Sequence, residues 1–153
     1  MQPPRPFHIN VCDALQAALV DLCHHDSHLL SAGCSERSVT HWLAIHLMKH
    51  FPDLDVDCEY NRDGFDVKKL KLSPESVQTD EVHARTVFPD IIVHKRGRKD
   101  WNVLAIEVKK SSSSADFQHD ICKLEALKLH MNYSFVAHVV VGLTFADCGV
   151  QWL

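Results

Sequence analysis

The order of hydrophobic patterns predicts an α/β domain with a mixed sheet. Three observations carry it. Apolar residues recur at helical spacing over 11–22 and 39–47, three aliphatic or β-branched runs (88–95, 101–109, 134–145) have the length of strands, and a helical pattern over 115–131 separates the second run from the third. At 153 residues, 46% hydrophobic, 24% charged and with only 5 Gly and 6 Pro, the chain fits one compact domain spanning 1–153 and excludes disordered, collagenous or low-complexity architectures.

Asn10, with Asp13 three residues on, reads as a helix N-cap, and Val11, Leu15, Ala18, Leu19 and Leu22 continue the stripe of an N-terminal helix that fades before Ser31-Ala32-Gly33. Ser35 caps a second helix running to about His50, with Val39, Leu43 and Leu47 as one stripe widened by Trp42, Ile45 and Met48. Glu36 lies about two turns before Leu43, at the edge of that stripe, where its carboxylate can point inward. Leu54 to Asn61 alternates as a strand after Phe51-Pro52-Asp53 breaks the helix. Residues 62 to 87, polar and holding Gly64 and Pro74, form an excursion with a short strand at 67 to 72.

Phe88–Lys95 and Trp101–Lys109 flank Arg96-Gly97-Arg98-Lys99-Asp100, the pattern of an antiparallel hairpin with a five-residue basic tip. Ser111 to Ser114 is an ordinary connection into a helix from Ala115 to Met131, whose Phe117, Ile121, Leu124 and Met131 recur at helical spacing. Ser134–Phe145 is nearly continuously apolar and belongs inside a sheet.

Two strands carry charges that their apolar patterns do not require. On the second hairpin strand, Glu107 and Lys109 share a face by the period of two. If Lys95 opposes Asn102, Asp90 stands across from Glu107. Two carboxylates among aliphatic neighbours repel each other and are costly to desolvate unless a proton or cation intervenes. A hard divalent ion such as Mg²⁺ suits such a pair, with the Val108 carbonyl as a further ligand and Lys109 placed to serve an attacking water and charge building on a phosphate.

Pro89-Asp90, then 16 residues, then Glu107-Val108-Lys109, preceded by a helix carrying Glu36, resembles the PD-(D/E)xK nuclease superfamily over residues 35 to 145. The resemblance implies a restriction-endonuclease-like αβββαβ core, its mixed central sheet flanked by helices, with an extra N-terminal helix. It further implies an Mg²⁺- or Mn²⁺-dependent nuclease acting on DNA. Asp90 and Glu107 would bind the metal, Lys109 would serve the water, and Glu36 would match the helical acid that many members add. Asp120 and Lys123 resemble a D-x-x-K-L segment of some members, although such residues are more often a simple helical i,i+3 pair. Glu36 equally reads as an acid favoured at a helix N-terminus.

The 16 Lys and Arg against 20 Asp and Glu give a net charge of −4, so polyanion binding requires a local patch. Lys95, Arg96, Arg98 and Lys99 at the tip, with Lys68, Lys69 and Lys71, are the candidate phosphate tracks, and are otherwise ordinary solvated charge. The serines at 111–114 could add hydroxyl contacts to a phosphate. Glu59 is a further candidate acid, or a partner for Arg62. A domain this small would need a second copy, as in a homodimer, or a partner to embrace a duplex. The competing readings are a nuclease-like interaction module without turnover, and a zinc-binding regulator using pairs such as His24/His28 and His46/His50 beside Cys23, although no Cys/His pattern completes four ligands.

The opening Met1-Gln-Pro-Pro-Arg-Pro-Phe-His lacks the pattern of a secretory signal, and no stretch reaches the roughly 18 apolar residues of a membrane span. The expectation is a soluble, cytoplasmic protein whose six scattered cysteines are reduced and mostly buried.

Overall fold

The computed structural model describes residues 10–63, 66–67, 69–70, 85–86 and 89–153. Helix α1 (Val11–His25) starts where the Asn10 side chain accepts the N–H groups of Cys12 and Asp13 at 3.0 and 3.2 Å. Its buried stripe is Val11, Ala14, Leu15, Ala18, Leu19 and Leu22. The helix stops at Asp26 and a single short helix α2 (Ser27–Ser31) follows, so the one predicted segment is two. The break has a tertiary cause, because the Asp26 carboxylate is held 2.6 Å from Nε2 of buried His46 on the next helix. Helix α3 (Glu36–Met48) is capped by Ser35, whose hydroxyl accepts the Ser38 N–H, and packs its Val39, Leu43 and Leu47 stripe against α1. Each fully buried leucine of this pair contributes about 1.5–3 kcal/mol relative to exposure.

The sheet contains β1 (Asp55–Cys58), β6 (Ile91–Lys95), β7 (Arg98–Lys110), β8 (Phe135–Val141) and β9 (Gly149–Trp152) in that spatial order. Two short ladders join β2 (Arg62–Asp63) to β3 (Asp66–Val67) and β4 (Lys69–Leu70) to β5 (Arg85–Thr86). Every neighbouring pair in the main sheet is antiparallel except β7 and β8, which are parallel, so the sheet is mixed as expected. Helix α4 (Gln118–Met131) is the crossover that this parallel pair requires. Strand β8 is interior because β9, which was not anticipated, covers its outer edge.

The helices lie on both faces. Helices α1 and α3 bury Ile91, Val93, Leu104, Ile106 and Val139. On the opposite face, Leu124, Leu127 and Met131 of α4 cover Ile92, Ala105 and Val136. The α4 stripe differs from the predicted one: the helix begins at Gln118, Phe117 stands outside it, and Asp120 joins the buried face. Asn132 ends it with φ +54, a left-handed position that asparagine tolerates, while the Asn102 side chain donates to the Met131 carbonyl at 2.8 Å.

The hairpin tip also differs. Arg96 and Gly97 alone make the turn, with Gly97 at φ +75 where a side chain would be strained, and Arg98–Asp100 belong to β7. Lys95 pairs with Arg98 and His94 with Asn102, so the expected Lys95–Asn102 pairing does not form. Two register shifts next to His94 then restore the alignment, and Val93–Leu104, Ile92–Ala105 and Ile91–Ile106 follow in step. The cysteines are free, but none is fully buried: Cys58 is exposed and the other five are half-buried. Among the described residues no helix is long and apolar enough to cross a membrane.

Candidate functional site

The site forms where β6 begins and β7 ends. Ile91 opposes Ile106, so the next step of the ladder carries Asp90 toward Glu107 on the α4 face. The backbone N–H of Val108 donates to Oδ2 of Asp90 at 2.7 Å and fixes the carboxylate beside β7. Glu107, only 2% exposed, and Lys109 lie on the same face two residues apart.

Both helices deliver charge to this corner. From α4, Lys123 Nζ stands 2.7 Å from Glu107 Oε1, and Asp120 Oδ2 stands 3.3 Å from Lys109 Nζ. From the N-terminus of α3, Glu36 places Oε1 3.5 Å from Lys109 Nζ and accepts the Lys110 N–H through Oε2 at 3.2 Å. The Lys110 ammonium donates to the Cys34 carbonyl at 2.7 Å, a second tie between β7 and the turn before α3. Asp120 and Lys123 therefore each engage a charge on β7, a role that a local i,i+3 pair does not describe.

The electrostatics of the corner are strained. Burial, reinforced by Asp90 and Asp120 and opposed by Lys123, pushes the Glu107 carboxyl up to about 8. Burial also raises Asp90, with Glu36 adding to it, against the opposing Val108 N–H and the two lysines. Lys109 is also raised, which for an amine favours the charged form: burial would favour the neutral amine, but Asp120 and Glu36 outweigh it and hold the ammonium charged. Glu107 Oε1, Asp120 Oδ2 and His138 Nε2 are buried and lack an aligned hydrogen bond, although each has an ionic neighbour.

His138 is a site residue that the sequence reading did not single out. On β8 it is the parallel neighbour of Glu107, is 3% exposed, and holds Nε2 3.5 Å from Asp120 with the Phe117 ring against it at 4.7 Å. One polar residue within the apolar run FVAHVVV was the available signal. On the α3 side an open cleft of about 420 Å³ reaches the corner, lined by Glu36, Arg37 and His41 from α3 and by Glu59 and Asp90, which lie just after β1 and just before β6. Glu59 thus does lie near the acids, and its partner is Arg37 at 3.6 Å.

The structure brings together Asp90, Glu107, Lys109 and Glu36, with Val108 between the last two β7 residues of the set. It does not bring the tip cations to them. Lys95 is five residues along β6 from Asp90, roughly 17 Å at strand spacing. The Lys95 ammonium donates to the Asp53 carbonyl at 3.1 Å, Arg96 is ion-paired with Asp57 and donates its backbone N–H to Asp55, and Arg98 makes a two-point contact with Asp100 at 2.9 and 2.7 Å. Lys99 shares this end of the hairpin. Of the second basic run, Lys69 lies on β4, while Lys68 and Lys71 fall outside the described residues. The serine turn follows β7 directly: Ser111 donates its N–H to the Val141 carbonyl, and Ser113 accepts the Ala115 N–H.

The histidine pairs belong to the less favoured zinc reading, in which no Cys/His pattern completes four ligands. His46 is engaged by Asp26 at one ring nitrogen and lies 3.2 Å from Lys49 Nζ at the other. Among the described residues, no group of three or more His, Cys, Asp or Glu side chains is arranged to hold a metal ion. The acids fit a cation in a narrower sense: one or two carboxylates, a carbonyl and water suffice for Mg²⁺, and Glu107 Oε1 is a buried charge acceptor already facing an ammonium. Comparison with protein-family models, with curated proteins and with solved structures finds no match for this chain.

Proposed function

We propose that this protein is a metal-dependent phosphodiester hydrolase acting on DNA, built on a restriction-endonuclease-like αβββαβ core. The observation that carries the reading is the convergence of Asp90, at the start of β6, with Glu107 and Lys109 of β7 at one half-buried corner, joined there by Glu36. The order α3, β1, β6, β7, α4, β8 supports the same core.

Asp90, Glu107 and the Val108 carbonyl are the groups that would hold Mg²⁺ or Mn²⁺. Such an ion polarises a phosphoryl oxygen and makes bound water a better nucleophile. The residues do the rest. Asp90 is oriented by the Val108 N–H, and Glu107 is shielded from bulk water by α4. Lys109, between two carboxylates, remains an ammonium, which suits it to orient a water and to stabilise charge growing on the phosphate oxygens rather than to remove a proton. Asp120 and Glu36 position that ammonium.

The test is cleavage of linear, branched and single-stranded DNA with and without Mn²⁺. Asp90→Ala, Glu107→Ala and Lys109→Ala should each lower the rate by about 100-fold or more while keeping the far-UV circular dichroism of the parent. Parent-like cleavage by all three ends the assignment. One observation favours a second reading, a non-catalytic interaction module: the Lys123 ammonium already answers Glu107 at 2.7 Å, which an acid reserved for a metal does not need. A divalent-ion titration separates the two.

A further inference from the structure

The cleft beside the acids contains a cation that the site chemistry above does not use. Arg37 projects from α3 next to Glu36, with its side chain 84% exposed. Its contact to Glu59 spans 3.6 Å between two exposed groups, too long for a hydrogen bond and weak in water. His41 lies one turn further on the same helix face and lines the same cleft. Opposite, Glu59 is set by backbone geometry. It adopts φ +49, uncommon for a residue with a side chain, and donates its N–H to the Asp90 carbonyl at 3.2 Å. The acid that restrains Arg37 is therefore tied directly to the residue proposed to bind the metal.

We infer that Arg37, with His41 beside it, binds a backbone phosphate of the DNA strand, and that Glu59 occupies Arg37 until the phosphate displaces it. This rests on the hydrolase reading for the substrate class and relocates the phosphate contacts from the hairpin tip to the α3 cleft. The chemistry is that of exchange. A guanidinium presents a planar fork of donors that fits phosphate oxygens at two points, and a phosphodiester in the cleft offers shorter, better-aligned contacts than the Glu59 carboxylate does. Glu36, Glu59 and Asp90 on the cleft walls repel an entering anion, so a phosphate binding there depends on Arg37 and His41. The tip arginines are engaged more closely, with their acids at hydrogen-bond distance.

The experiment is binding of a short fluorescein-labelled DNA duplex, read by anisotropy in Ca²⁺ at several salt concentrations. Arg37→Ala should weaken binding about 5- to 10-fold and lower the salt slope by about one. Glu59→Gln should tighten binding about threefold, and the gain should vanish in the Arg37→Ala background. Parent-like binding by Arg37→Ala overturns the inference, and so does an equal gain from Glu59→Gln in both backgrounds, which would mark Glu59 as a general repulsive charge. Absence of duplex binding by the parent overturns it as well. Both side chains are exposed, so circular dichroism should report parent-like folding. Cleavage in Mn²⁺ is scored separately: Arg37-dependent binding without cleavage by the parent retains the cleft and removes the hydrolase.

Discussion

The two ends of the β6–β7 hairpin have similar densities of charge and opposite electrostatic fates. At the tip, Arg96 meets Asp57 and Asp55, and Arg98 meets Asp100, in exposed or half-buried pairs with short, well-aligned contacts. At the base, Glu107 and His138 are buried beside Asp120 of α4 with Asp90 at the rim, three of their polar atoms lack an aligned hydrogen bond, and Glu107 holds its proton far above the usual carboxylate range. Water screens the Arg98–Asp100 pair, so it contributes little, whereas Arg96 and His94 meet a half-buried Asp57. The base has less screening, and although Lys123 and Lys109 meet its acids, burial and the neighbouring carboxylates still favour a proton on Glu107. Crowded like charge kept in a dry corner is a feature of sites that trade stability for function.

Opposite responses to pH sharpen this contrast. With Glu107 raised from 4.5 to about 8, the folded state binds more protons than the unfolded state across that window, so metal-free stability falls as pH rises through it. The loss should be on the order of 5 kcal/mol, and Glu107→Gln should flatten it, as measured by urea unfolding at a series of pH values. An unchanged slope in the variant would remove Glu107 as its source.

The second effect tests whether a cation relieves the base. Mn²⁺ at ten times its dissociation constant should stabilise the parent by about 1.4 kcal/mol, and Asp90→Asn should abolish the shift. A parent with no shift at any concentration favours the interaction-module reading.

At the tip the sign reverses. Burial would raise the Asp57 carboxyl, but hydrogen bonds from Arg96 and His94 outweigh it and hold it below the usual carboxylate value. Its contribution is therefore complete above the ordinary carboxylate pKa and is lost as pH falls through the lowered one. Asp57→Asn should destabilise the protein at neutral pH, with the gap from the parent closing in acid. A gap that widens in acid would contradict the pairing. Smallest of all, Arg98→Ala should leave the melting temperature unmoved within error, because its pair with Asp100 is fully exposed. A clear drop would mean that the tip is more than a screened turn.

Local patterning explains which parts of the fold were legible. Asn10 and Ser35 cap the helices they were expected to cap because capping is a local hydrogen bond. Glu107 and Lys109 share a face because a strand alternates, whatever it packs against. The tip departs from its local pattern because its basic residues resemble a loop, whereas pairing with Asp100 and with β6 draws Arg98–Asp100 into the strand. Phe117 was placed in the α4 stripe by spacing alone, yet the ring against His138 belongs to the turn before the helix. The role of His138 was hidden because one histidine in a strand does not announce its neighbours.

By itself the chain determined its element types, its caps and the coincidence of Glu107 and Lys109 on one strand face, all consequences of backbone geometry acting over a few residues. Tertiary structure decided the rest: two bulges restored the register that brings Asp90 toward Glu107, α4 carried Asp120 and Lys123 onto β7, and α3 placed Glu36 beside Lys109. Those outcomes depend on how separate elements pack. Packing sets both the distance between charges and the amount of water left between them, and neither quantity is encoded by spacing along the chain.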